Sequence, residues 1–301
     1  MLFRSTSDAA IDTLGFSLTD QFWIKPNNSD LSWNDLNYFT NEFEPAVADD
    51  NLLGGFGLKN PDNTSDGNLP KCWVCDRNER YLLKGSGPLG QEAHNEVIAT
   101  QLFSKLLNKN EYVKYETCNF NSKLVSKCKC FVNDHEEFVP AHYILKIKKK
   151  PNNSNWFEHY ISCCEQLSGI DVRKSLEKMI VLDFALMNFD RHFRNFGLVK
   201  NVEDLTWRVA PVFDTGSSLL CNVSTQSLKA GNTPFESKPF YEDPKRQLRL
   251  VGDMSWIDVD LLETLPNIIS NELASDETLE ARTPYITQAV EKQIELIKLL
   301  K

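Results

Sequence analysis

A chain of 301 residues, 41% hydrophobic and 25% charged, has the composition of a soluble globular protein and is long enough to bury two cores. Its net charge of -9 argues against a protein that coats nucleic acid, and no apolar run approaches the roughly 20 residues a membrane span requires. No apolar signal segment follows Met1 to Ser5, so a cytoplasmic protein without direct membrane or nucleic-acid contacts is expected.

Residues 1–50 are polar with aromatic anchors at Phe16, Phe22, Trp23, Trp33, Tyr38 and Phe39, which reads as an extension packed on the first lobe. A short helix is expected over 32–43, with Ser32 as its cap and Asp35 in its first turn. Residues 52–71 are rich in Gly, Asn, Asp and Pro, the composition of loops whose backbone can approach phosphates. They contain no GxxxxGK[ST] pattern, which argues against a P-loop NTPase.

Two strands follow, over 72–74 and 80–84, around the turn Asp76-Arg77-Asn78-Glu79. The second ends on Lys84. Residues 91–107 have helical periodicity, with Ala93, Val97, Ile98, Leu102, Leu106 and Leu107 near one face. Glu92 and Glu96, four residues apart beside that face, can each point at Lys84.

Further strands are expected over 112–132, the last of them 126–132, followed by a linker at 133–137. Cys72 and Cys75 form a CxxC, but Cys128 with Cys130 and Cys163 with Cys164 supply no second one, so the eight cysteines read as buried thiols rather than a zinc site. The basic run 146–150 reads as a solvated loop. Residues 172–187 read as a helix capped by Asp171, with Leu176, Met179, Ile180, Phe184 and Met187 on its buried face. Segment 221–243 has no strong periodicity, and 256–273 and 279–300 read as amphipathic helices finishing a helical lobe.

The chemistry concentrates between Asp190 and Asp214. Asp190-Arg191-His192-Phe193-Arg194-Asn195 sets a carboxylate and an amide five residues apart after an apolar helix, and Val209-Ala210-Pro211-Val212-Phe213 leads into Asp214-Thr215-Gly216. Asp and Asn in such a place also suit a helix cap or a hydrogen-bonded turn. Phosphoryl transfer, however, needs a carboxylate to orient the nucleophile and an oxygen pair to hold Mg²⁺ against phosphates, and this spacing offers both.

These two blocks, with Tyr81-Leu82-Leu83-Lys84, Asn95-Glu96 and the looser Thr64-Ser65-Asp66-Gly67-Asn68-Leu69-Pro70-Lys71, resemble the HipA-like Ser/Thr protein kinases, relatives of the phosphatidylinositol 3- and 4-kinases. The resemblance implies an α+β bilobal protein-kinase-like fold, with a β-rich N-lobe over 1–138 and a mainly helical C-lobe over 139–301. It implies that Lys84 binds ATP with Glu96 as its partner, that Asp190 is the catalytic base, and that Asn195 and Asp214 ligate Mg²⁺. Thr64, Ser65, Gly67 and Lys71 would belong to the loop covering the phosphates, with Thr64 or Ser65 as an autophosphorylation site, while His192 would be structural. The function expected is ATP- and Mg²⁺-dependent phosphorylation of Ser or Thr on a protein. By analogy with toxin-type bacterial relatives, the substrate would be a translation factor or an aminoacyl-tRNA synthetase, and an antitoxin a partner. A lipid kinase and a non-catalytic nucleotide-binding module are the alternative readings.

Overall fold

The computed structural model describes residues 14–25, 27–43 and 69–301. The first two segments form an aromatic cluster: Phe16, Tyr38 and Phe43 are buried with Trp73, and Trp23, Trp33 and Phe39 pack around them. Phe22, expected as an anchor, is instead 72% exposed. The helix expected over 32–43 is a single turn, α1 (Trp33–Leu36). Asn37 ends it, donating through Nδ2 to the Trp33 carbonyl at 3.0 Å and accepting from the Thr40 N–H at 2.9 Å. The Ser32 hydroxyl bonds the Asp35 carboxylate and caps no backbone group.

The four-stranded N-lobe sheet is antiparallel in the order β1 (Lys71–Asp76), β2 (Glu79–Lys84), β4 (Lys123–Lys129), β3 (Tyr115–Phe120). Both hairpins turn through two residues with positive φ: Arg77 (50°) and Asn78 (66°), then Asn121 (49°) and Ser122 (61°). Such turns twist with the strands they join, and Asn tolerates the left-handed region better than most residues. Arg80 fastens the N-terminal segment to the first hairpin, donating to the carbonyls of Tyr38, Asn78 and Asn41 at 2.7, 2.6 and 2.7 Å. Helix α2 (Gln91–Leu106) packs on β3 and β4 and places Ile98, Ala99, Leu102 and Phe103 in the core.

The segment expected as a linker at 133–137 runs into a strand. β5 (Glu136–Pro140) pairs with β6 (Gly197–Asn201), which pairs with β7 (Trp207–Val209), so a three-stranded antiparallel sheet accompanies the helices of the second lobe. The short helix α3 (Ala141–Ile144) follows β5 directly, and α4 (Trp156–Ser168) starts at a true cap, Asn155, whose Oδ1 accepts the Glu158 N–H at 2.8 Å. Helix α5 (Arg173–Ala185) begins two residues after Asp171, whose carboxylate accepts the Arg173 N–H at 2.9 Å. Nearly every residue from Leu176 to Ala185 on its inner side is buried, including Glu177 and Asp183.

After the short helices α6 (Thr225–Lys229) and α7 (Pro244–Leu248), the two long helices expected at the C-terminus are each divided. α8 (Val259–Leu262) precedes α9 (Leu265–Leu273), and α10 (Glu277–Glu280) precedes α11 (Thr283–Leu300). Pro266 and Pro284 stand in the first turns of α9 and α11, the one part of a helix that tolerates a missing N–H. α9 wedges between α2 and α11, fully burying Leu265, Ile269, Leu273, Ile286, Val290 and Ile297. Each such side chain contributes about 1.5–3 kcal/mol. This packing fixes α2 from behind, and α2 carries one half of the charged site.

Candidate active site

Lys84 ends an inner strand of the N-lobe sheet, paired with Lys71 on one side and Ser126 on the other. Its Nζ lies 2.6 Å from Oε1 of Glu96 and also bonds the Asp214 carboxylate. Of the two glutamates that helical spacing allows, Glu96 is therefore the partner. Glu92 lies against Gly87, where a Cβ would come within 2.8 Å of its Oε1. Burial disfavours a charged Lys84, but Asp214 and then Glu96 outweigh it and raise its pKa above the ordinary lysine range. Burial likewise pushes the Asp214 carboxyl up, and Lys84, Arg191 and Lys71 together bring it below the usual value. Lys84 and Asp214 are thus both held in their charged forms at neutral pH.

The second oxygen of Glu96 is fixed as well, accepting from the N–H and the hydroxyl of Thr215 at 3.0 and 2.7 Å. Asp214 is left-handed (φ 59°), a conformation Asp adopts more readily than most residues, and its N–H donates to the Tyr115 hydroxyl at 3.3 Å. Past it, α2 binds the loop's carbonyls one after another. Asn95 Nδ2 donates to Gly216 and Ser218, both at 2.8 Å, and Gln91 Nε2 to Leu219 at 2.9 Å. Arg282, at the start of α11, donates to Leu220 at 2.8 Å and to Gln91 Oε1 at 2.9 Å. At Gly216 a Cβ would lie 3.1 Å from the Glu92 carbonyl oxygen, a tight contact that a shift of a few tenths of an ångström would relieve.

The Asp190 loop hangs from a buried ion pair. Arg191, fully buried, donates through Nε and Nη2 to the two oxygens of Asp183 at 2.8 and 3.0 Å. Its Nη1 donates to the Asn195 carbonyl at 2.9 Å and also to that of Phe213. One guanidinium therefore joins the end of α5, the Asp190 loop and the segment before Asp214. Asn188 continues the network, donating to Asp183 at 2.8 Å and accepting the Asp190 N–H at 3.0 Å. Asn195 is 5% exposed and donates its Nδ2 to the Asp190 carbonyl at 3.2 Å. The Asp190 side chain is partly exposed and meets Lys238 Nζ at 2.9 Å. His192 accepts the Arg194 N–H at 3.3 Å, a contact within the loop.

From the other lobe, residues 111–113 reach the segment before Asp214, with an isolated parallel bridge between Tyr112 and Val212. The Val212 N–H donates to the Glu111 carbonyl at 2.8 Å and the Val113 N–H to that of Val212 at 2.9 Å. Thr64, Ser65 and Gly67 lie outside the described residues, whereas Lys71 is near enough to Asp214 to lower its pKa. Among the described residues no three His, Cys, Asp or Glu side chains gather as a metal site. Asn195 and Asp214 nevertheless suit Mg²⁺, which commonly takes one or two protein oxygens and completes its shell with phosphates and water. A cavity of about 350 Å³ lined by Leu176, Met179, Phe196 and Val212 includes none of Lys84, Glu96, Asp190, Asn195 and Asp214. No helix among the described residues is long and apolar enough to cross a membrane.

Sequence reasoning missed Asp183, Asn188, Lys238 and Arg282. Only Asp183 carried a signal, a carboxylate on the apolar side of a helix.

The described residues share their fold with two solved structures. No protein-family model matches the sequence, and no curated protein matches it. Among solved structures, the Helicobacter pylori proinflammatory kinase CtkA superposes with a TM-score of 0.59 at 17% identity, over 79% of this chain and 93% of that one. HipA of Shewanella oneidensis MR-1, solved with HipB and operator DNA, superposes with a TM-score of 0.51 at 13% identity, over 78% of this chain and 67% of that one.

Proposed function

We propose that this chain is a protein kinase that transfers the γ-phosphoryl group of ATP, with Mg²⁺, to a serine or threonine hydroxyl. The observation that carries the reading is the contact of Lys84 with both Glu96 and Asp214, beside a loop that holds Asp190 and Asn195 through the shared Arg191 guanidinium. Lys84 would bind the phosphates, oriented by Glu96 so that its flexible ammonium is not left to wander. Asp190 would orient the acceptor hydroxyl and accept its proton. Asn195 and Asp214 would hold Mg²⁺, which neutralises charge on the β- and γ-phosphates. Thr64, Ser65, Gly67 and Lys71 would form the covering loop, with Thr64 or Ser65 open to autophosphorylation.

A cytoplasmic, toxin-type role extends the same reading. The HipA neighbour was solved with HipB and operator DNA, which favours testing this chain for an antitoxin partner and for a translation factor or aminoacyl-tRNA synthetase as substrate. The experiment is incubation with γ-labelled ATP, alone and with bacterial lysate, with Mg²⁺ and with EDTA. Label on Ser or Thr that requires Mg²⁺ supports the proposal; label on lipid, or none on any acceptor, contradicts it.

A further inference from the structure

Lys238 reaches the carboxylate that the proposed reaction uses as its base. Its Nζ lies 2.9 Å from Oδ1 of Asp190, although 48 positions separate them in the chain. The side chains are 50% and 39% exposed, and an ion pair so open to water contributes little to stability. The backbone beneath Lys238 is, by contrast, firmly held. Buried Gln247 donates through Nε2 to the Lys238 carbonyl at 2.7 Å and accepts through Oε1 from the N–H groups of Phe240 and Tyr241 at 3.0 and 3.2 Å. The Ser237 hydroxyl closes the same turn on the Tyr241 carbonyl at 2.7 Å. Phe240 then packs its ring 5.9 Å from Phe193, inside the Asp190 loop, and 5.3 Å from Phe157 of α4. A lysine whose support is packed on the loop it contacts is aimed there by the fold.

We propose that Lys238 is an electrostatic residue of phosphoryl transfer, holding Asp190 before the reaction and neutralising the transferring phosphoryl group during it. The inference rests on the kinase reading. In that reaction the acceptor hydroxyl oxygen bonds to the γ-phosphorus as the bond from that phosphorus to the β,γ-bridging oxygen breaks. The electron pair of the broken bond leaves with ADP, and the hydroxyl proton passes to Asp190. The base must lie about 3 Å from the acceptor oxygen, and that oxygen about 3–3.5 Å from phosphorus. An ammonium on the same carboxylate therefore reaches the phosphoryl oxygens by rotating its own side chain. As Asp190 gains the proton it loses the charge that held Lys238, and the strongest remaining negative charge nearby is the phosphoryl group.

Wild type, Lys238→Met, Lys238→Gln, Lys238→Arg and Asp190→Asn are compared for transfer from γ-labelled ATP to themselves and to dephosphorylated casein, with thermal midpoints on the same preparations. Lys238→Met and Lys238→Gln are expected to lose about 10-fold or more in kcat, with KM for ATP changed by less than about 3-fold, because the charge acts on the transition state. Lys238→Arg, which keeps the charge, retains most of the activity. Full kcat in both neutral variants, while Asp190→Asn is inactive, overturns the role of Lys238 and leaves the kinase reading standing. A rise in kcat overturns it too, identifying the lysine as a plug on the base. A fall in kcat no greater than the fall in folded fraction assigns Lys238 to stability and also overturns it. If Asp190→Asn turns over like wild type, or wild type transfers nothing, the kinase reading fails and this inference with it.

Discussion

Arg191 and Asp183 form a bidentate ion pair that is almost entirely removed from water, with distances of 2.8 and 3.0 Å. Its two members sit eight residues apart, on the helix that delivers the chain to the site and in the loop that carries Asp190. The same guanidinium binds the carbonyls of Asn195 and Phe213, so the pair sets the spacing between the two metal-ligand candidates.

Removing one partner of such a pair strands a buried charge, which costs about 3–5 kcal/mol. Asp183→Ala is therefore expected to lower unfolding stability by about that amount and to weaken ATP binding in the molecules that remain folded. Urea unfolding followed by calorimetry with ATP checks both effects, and a variant as stable as wild type contradicts the structural assignment.

Asp214→Ala removes a proposed metal ligand and a partner of Lys84. ATP affinity in wild type should be higher with Mg²⁺ than with EDTA, and this difference should vanish in the variant. The same carboxylate predicts a pH dependence of stability. Its folded pKa is lowered, so its contribution is present above the unfolded aspartate value of about 3.9 and is lost as pH falls through the folded value. The folded pKa of Lys84 is raised, so its contribution is complete below the unfolded lysine value of about 10.4 and is lost only above it. Thermal midpoints should thus stay level between these limits and fall in acid, with a smaller acid fall in Asp214→Ala.

The cysteines should be slow to react. Burial pushes the thiols of Cys128, Cys164 and Cys221 up to about 12, and those of Cys72 and Cys130 up to about 11. At pH 8 these groups are almost wholly protonated, and the thiolate is the reacting species. Iodoacetamide followed by mass spectrometry should leave Cys128, Cys164 and Cys221 unmodified in the folded protein and modify them in urea. Rapid native labelling of any of the three contradicts the burial described.

What the sequence made legible is what one periodic segment or one local spacing encodes. Helix α2 and the hairpin from β1 to β2 follow from apolar periodicity and an Asn-containing turn, and the nearness of Lys84 to a glutamate follows from helical geometry. Strand β5 was not legible, because polar residues and a terminal proline conceal a strand whose partner, β6, lies about 60 residues on. Nor could spacing disclose Lys238 or Arg282, which meet Asp190 and the loop after Asp214 only through tertiary packing. The divisions before α9 and α11 were signalled by Pro266 and Pro284, but the amphipathic pattern continues across both and hides them.

The central claim rests on Asp190, and Asp190→Asn tests it most directly. The change keeps the size of the side chain, and the main-chain bonds of Asp190 to Asn188 and Asn195 do not involve its carboxylate. Fold and ATP affinity should therefore persist, while kcat for phosphoryl transfer falls by about 10²-fold or more, the scale of losing a general base. Thermal midpoint, ATP affinity and transfer are measured on one preparation. A stable, ATP-binding variant that no longer transfers phosphate is the predicted result; a destabilised variant with normal turnover per folded molecule would contradict it.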